Sequence, residues 1–228
     1  MARAVADPPG DPPGDPAADP AADLGGRERF IVAGLRVLHE RGAAELTLRR
    51  VAQHAGSSTM GIYSCFGGRA GLLEAIYRRG FELLADAITA PRARSADQDQ
   101  AGADPHRTIV AIATAYRRFA LGNPALYALM FERPLPGFDP APQLRSWALN
   151  LTFTPLVEEV ARAQAGGLLT GDDPVRPSYL LWTTIHGVTS IELTHAVRSP
   201  LPGWFIDSPE AGEAVLLEAV RAVLTGLR

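Results

Sequence analysis

Few residues in this 228-residue chain are of a type that does chemistry, and their spacing excludes most reactions. Cys65 is the only cysteine, so a disulfide framework and a cysteine-built zinc site are both ruled out, and a reducing compartment fits. Of the five histidines, His186 keeps the most suggestive company: Trp182 stands four residues before it on the same helix face, and Gly187 follows. No Ser/His/Asp set or metal-ligand spacing surrounds it, so neither enzyme activity, a metal nor a cofactor is expected. His195 lies nine residues further on, close to the same face, but two imidazoles alone make a poor metal site. His186 therefore reads in two ways. It is a core histidine bonded to a backbone carbonyl, or the polar anchor of a mostly apolar pocket.

A second group of side chains suits a polyanion. Residues 46–73 read LTLRRVAQHAGSSTMGIYSCFGGRAGLL. Thr47 is a natural N-cap for a short helix that turns Val51 and Ala52 inward. Gly56-Ser57-Ser58 forms a turn, and a second short helix follows over 59–65 until Gly67-Gly68 breaks it. Ala52 is small where the two helices must approach, Ile62 points inward, and Phe66 closes the little core. Tyr63 stays outward with a hydroxyl able to reach phosphate. Arg69 opens the next helix, where free N–H groups and a cation can together hold a phosphate oxygen. Arg49 is the best candidate for a bidentate contact to guanine. This is the layout of a helix-turn-helix, whose second helix enters the major groove. Cys65 has two readings here, a reactive thiol or a small buried or DNA-facing residue.

The block resembles the TetR family of transcriptional regulators. The family pattern A-G-V-S-x-G-T-L-Y-x-H-F-x-x-K-x-x-L-L runs without a gap from Ala55 to Leu73, and the likeness extends back through Thr47-Leu48-Arg49 to Arg27. The resemblance implies a DNA-facing set of Thr47, Arg49, Ser58, Thr59, Met60, Gly61, Tyr63, Ser64, Cys65 and Arg69. Within it, Arg49, Thr59, Met60, Tyr63 and Cys65 match base-contact places, and Thr47, Tyr63 and Arg69 match phosphate-contact places. Four positions depart from the pattern. Ser57 replaces an apolar residue, Met60-Gly61 replaces a small residue and a hydroxyl, and Cys65 stands where His or Tyr is common. The departures leave the fold intact and put the operator sequence in question.

Around this block the chain is organised by helical periodicity. Residues 1–23 repeat Asp-Pro-Pro-Gly and Asp-Pro-Ala-Ala and bury nothing, so an unstructured tail is expected. A helix is expected over 27–42, with Phe30, Ile31, Gly34, Leu35 and Leu38 on one stripe, and another from 69 to about 90. The polar stretch 91–104 reads as a linker. Asp104-Pro105 and Asn123-Pro124 then open two helices, 141–165 carries a third with Pro155 inside it, and 173–197 and 208–227 complete the set. No stretch alternates with period two, so the fold class is all-α: a helix-turn-helix domain over 24–90 and a helical ligand and dimerisation bundle over 105–228. The formal net charge is −3, yet residues 24–88 carry nine Arg against six acids. The positive excess falls on the segment that would face phosphate. No apolar run is long enough for a membrane helix and the first residues are no signal peptide, so a cytoplasmic chain with no membrane partner is expected.

The second half is similar to the TetR subgroup named for a Trp-His-Gly signature, here Trp182, His186 and Gly187. Tyr116, Phe119, Tyr127, Trp147, Trp182 and His186 are the expected lining for a small apolar or amphipathic effector, while Met130 and Phe131 read as core. Leu181, Ile185 and Val188 on one helix, with Val215, Leu216, Ala219, Val220 and Val223 on the last, read as the homodimer interface. The expected function is that of a repressor on palindromic double-stranded operator DNA, released by its effector. The rival reading is a ligand-binding or protein-interaction module without sequence-specific DNA binding, supported only by the unusual Met60-Gly61 pair.

Overall fold

Prolines and capping side chains set most of the helix starts. The computed structural model describes residues 20–97, 104–132, 135–195 and 208–228. The N-terminal part contains α1 (Pro20–Arg41), α2 (Leu48–His54), α3 (Thr59–Phe66) and α4 (Arg69–Asp97). The remainder contains α5 (Pro105–Gly122), α6 (Pro124–Phe131), α7 (Pro142–Ala165), α8 (Val175–His195) and α9 (Pro209–Gly226). One 3-10 turn, Ala43–Glu45, joins α1 to α2, and no strand occurs among the described residues. The all-α expectation holds.

Local chemistry explains the boundaries. The Thr47 hydroxyl accepts from the Arg50 N–H at 3.3 Å, the Asp104 carboxylate from His106 N–H at 3.0 Å, and the Ser208 hydroxyl from Ala211 N–H at 3.1 Å. Each cap satisfies a donor that the first helical turn leaves open, a contribution of about 1 kcal/mol. Asn123 behaves otherwise. Its side chain makes no cap bond to α6 and instead donates from Nδ2 to the Phe119 carbonyl at 2.9 Å, closing the end of α5.

Three expectations need correction. The first helix begins at Pro20, so residues 20–23 are helical and do not belong to the unstructured tail; residues 1–19 lie outside the described residues. The expected linker at 91–104 starts too early, because α4 continues through Pro91 to Asp97. A proline removes one backbone donor and disfavours a helix, but the flanking turns evidently outweigh that cost here. The third concerns the assumed dimer faces. Leu181, Ile185, Leu216 and Val220 are no more than 2% exposed and fill the core of their own protomer.

The helices pack in two linked groups. α1 carries Phe30, Ala33, Val37 and Leu38 against α2, α3 and the start of α4, where Val51, Ile62, Leu72 and Ile76 meet them. The rest of α4 packs on α5, α6 and α7, and α8 and α9 pack on each other and on α5. At 1.5 Å per residue, the 29-residue α4 is about 43 Å long and runs from the first group into the second as one continuous helix.

Candidate operator-reading surface and regulatory core

The recognition surface is built by putting the apolar residues of two short helices underneath. Gly56, at φ +61°, allows the turn after α2, and Gly67, at φ +71°, ends α3 in the left-handed region, where a side chain would be strained. With Ile62 fully buried, Thr59, Met60, Tyr63 and Ser64 fall at i, i+1, i+4 and i+5 and form the opposite, exposed face. Met60 is 70% exposed and Tyr63 53%, unusual for large apolar side chains in a chain with this much core to fill. Thr47 and Arg49 at the start of α2 and Arg69 at the start of α4 are exposed beside them. Arg50 is held by Glu45 at 2.7 Å, whereas no ion pair engages Arg49 or Arg69 among the described residues. Their cations remain available.

Three members of the expected set have other local duties. The Ser58 hydroxyl caps α3 by accepting from Gly61 N–H at 3.4 Å. Gly61 faces inward: a Cβ there would lie 2.9 Å from Phe30 Cζ, so the close approach of α1 and α3 requires glycine. That contact gives the departure at Gly61 a packing reason. Cys65 is half-buried, and its backbone carbonyl accepts a hydrogen bond from Arg27 of α1. The same guanidinium lies 4.5 Å from the centre of the Phe66 ring, which meets Phe30 edge-on. Arg27 thus ties the first helix to the last turn of α3.

In the regulatory group, four of the six expected ligand residues converge. The Tyr116 and Tyr127 hydroxyls each lie 2.8 Å from His186 Nδ1 and 3.2 Å from one another. Trp182 and Tyr127 stack on the imidazole at 28°. Neutral imidazole has a single lone pair at Nδ1, so it accepts from one hydroxyl while the other donates to its neighbour, and the ring proton sits on Nε2. Burial pushes the His186 pKa below its usual value, raises Tyr127 to about 12 and holds Tyr116 well above the ordinary range for tyrosine. His186 is bonded to side chains, not to the backbone carbonyl of the simpler reading.

Two expected residues lie elsewhere. Phe119 is a core residue with no ring contact to this cluster among the described residues, and Trp147 on α7 packs under Arg78 of α4, 4.3 Å from ring centre to guanidinium carbon. Three further aromatics belong with His186: Phe131, expected only in the core, and Phe153 and Tyr179, which sequence reasoning passed over. Phe131 touches the imidazole edge-on at 5.0 Å between centres, and Phe153 with half-exposed Tyr179 extends the stack from Trp182 toward solvent. Their helix spacing was legible; the pairing of α7 with α8 was not. No group of three or more metal-ligating side chains occurs among the described residues.

An exposed reading helix on a helix-turn-helix, continued by one long helix into a second helical bundle, defines a one-component transcriptional regulator. Residues 30–76 match the bacterial regulatory proteins of the tetR family, and residues 109–220 match the Tetracyclin repressor-like C-terminal domain. The HTH-type transcriptional regulator Rv1816 of Mycobacterium tuberculosis is 28% identical over 194 residues, covering 72% of this chain and 79% of that relative. A protein of unknown function from Rhodococcus sp. RHA1 superposes with a TM-score of 0.69 at 26% identity, covering 89% of this chain and 95% of its own. A TetR family transcription regulator from Marinobacter aquaeolei VT8 shares the fold, with a TM-score of 0.63 at 19% identity over 89% of this chain and 97% of that one. The chain belongs to the TetR family of transcriptional regulators, with an N-terminal helix-turn-helix DNA-binding domain.

Proposed function

We propose that the protein is a homodimeric repressor of palindromic operator DNA, acting in the cytoplasm and released by a small apolar or amphipathic effector. The observation that carries the reading is the exposed face of α3, where Thr59, Met60, Tyr63 and Ser64 stand clear of the core beside the exposed cations Arg49 and Arg69. A single eight-residue helix reads too few bases, so two copies about 34 Å apart are needed for useful affinity. The dimer face is the outward stripe of α8, Leu180, Thr184, Gly187, Val188 and Ile191, which follows the helical period. Leu180 and Ile191 are 46% and 39% exposed, and a Cβ on Gly187 would meet nothing within 4 Å, leaving room for a partner helix.

Residues 24–90 form the DNA-binding unit and 105–228 the regulatory unit, coupled through α4. The effector anchors on His186, Tyr116 and Tyr127, with its apolar body along Trp182, Phe153 and Tyr179. The half-buried end of this aromatic stack is the way in, because the two anchoring tyrosines are themselves buried. Selection from random duplexes, followed by gel shift across a salt series, tests the DNA reading. A palindromic consensus bound by two protomers, weakening steeply with salt, is expected. Failure to enrich any sequence would overturn it.

A further inference from the structure

A second cleft lies away from His186. It is a groove of about 590 Å³ between α1, α4 and α7, well within the range of small-molecule sites. One wall is apolar, from Ile31, Ala75, Leu144 and Trp147; the other is charged, from Arg27, Arg78, Arg79, Glu74 and Glu82. The charges do not cancel evenly. Arg79 is occupied by Glu28 at 2.5 Å and Glu82 at 3.4 Å. Arg27 and Arg78 have no carboxylate partner among the described residues and rest on the Phe66 and Trp147 rings, leaving two cations against Glu74. A guanidinium on an aromatic face keeps its N–H edge available for a planar anion.

We propose that this groove is a second ligand site, for an aromatic or aliphatic carboxylate, whose occupation loosens the recognition helix directly. The carboxylate takes the edges of Arg27 and Arg78, and the apolar body lies along Trp147, Ile31 and Leu144. The consequence follows from Arg27, which in this structure holds the Cys65 carbonyl at the end of α3. A ligand that draws the guanidinium into the groove competes with that bond and frees the last turn of the reading helix. The groove also spans α1 of the DNA-binding unit and α7 of the regulatory unit, so a ligand there alters how the two meet. None of this involves His186.

The test uses the full chain with naphthalene-2-carboxylate and its neutral analogue naphthalene-2-methanol, measured by calorimetry and by binding to an operator selected in vitro. The carboxylate is expected to bind at least about tenfold more tightly than the alcohol and to lower operator affinity, within the roughly 5–150-fold typical of coupled sites. Arg78→Ala and Trp147→Ala should each weaken the carboxylate about tenfold or more, while His186→Gln should not. Equal binding of the two compounds needs no variant to interpret and would overturn the site, as would loss of binding in His186→Gln alone. Carboxylate binding that leaves operator affinity unchanged would overturn the lever through Arg27.

Discussion

Arg117 on α5 and Glu192 on α8 form a two-pronged ion pair inside the regulatory bundle, with Nε and Nη2 at 2.7 and 2.6 Å from the two carboxylate oxygens. Both side chains are almost fully buried, at 7% and 5% exposure. The guanidinium also donates to the Pro209 carbonyl at 2.6 Å, so one cation pins the start of α9 to α5 and α8. Gly212 lets the carboxylate lie there, since a Cβ would come within 2.4 Å of Glu192 Oε1. Removing one partner strands a buried charge, whereas replacing both with apolar residues does not. Arg117→Met is therefore expected to destabilise by about 3–5 kcal/mol, and Arg117→Met with Glu192→Leu to recover most of that loss. Melting temperatures of the three proteins decide it, and a double variant no better than the single one would contradict the account.

On DNA, the two available cations of the reading surface should separate by role. Arg49→Ala should cost about 1–3 kcal/mol on the selected operator and much less on random duplex, as befits a base contact. Arg69→Ala should weaken both equally and flatten the salt slope by about one per subunit. A nitrocellulose or fluorescence titration at several salt concentrations distinguishes them. If Arg49→Ala lost affinity on every duplex alike, its side chain would be a phosphate contact.

How much of this was legible in the sequence depended on range. Capping and turn chemistry act over three or four residues, so Thr47, Asp104 and the Gly67 break were readable at once. Periodicity located the helices but not their partners. Trp182 and His186 were visible as neighbours on one helix, yet Tyr116 and Tyr127 reach His186 from 70 and 59 residues away, a convergence that only the packing of α5, α6 and α8 creates. The same limit misplaced Trp147, whose aromatic character fits either cluster. It also assigned Leu181 and Ile185 of α8 and Leu216 and Val220 of α9 to a partner, because such a stripe looks the same whether it covers the protomer core or a second copy.

The burial of Leu216 changes what a charge on the last helix does. Leu216 is fully buried within its own protomer, so Leu216→Arg places an unpaired cation in the core and should abolish folding. Ile191→Glu, on the outward stripe, should instead leave circular dichroism and helix content intact while converting dimers to monomers and removing operator binding. Sedimentation velocity and a thermal melt on both variants check the pair. A folded, dimeric Ile191→Glu protein would move the interface off this face of α8.

Protonation of His186 should be the main brake on stability in mild acid. Its pKa lies below the unfolded value of about 6.5, because burial among Tyr116, Tyr127, Phe131 and Trp182 disfavours the imidazolium. Between the folded and unfolded pKa the unfolded chain binds more protons, so stability rises with pH across that window. The contribution is complete above about pH 6.5 and is lost as pH falls through the folded value. Geometry gives the reason: a proton on Nδ1 turns the acceptor of one tyrosine hydroxyl into a donor, and that buried hydroxyl must then reorient. The tyrosines set the opposite limit. Tyr127 is raised to about 12 and Tyr116 is also raised, so their contribution is complete below about pH 10 and lost as pH climbs toward the folded values. Denaturant titrations from pH 5 to 11 should show a plateau between these edges. In His186→Gln the acid edge should shrink, since glutamine cannot take up the proton, while the alkaline edge should persist in that variant. An acid edge identical in parent and variant would mean that other groups carry it, and that His186 is not the acid-sensitive element of the bundle.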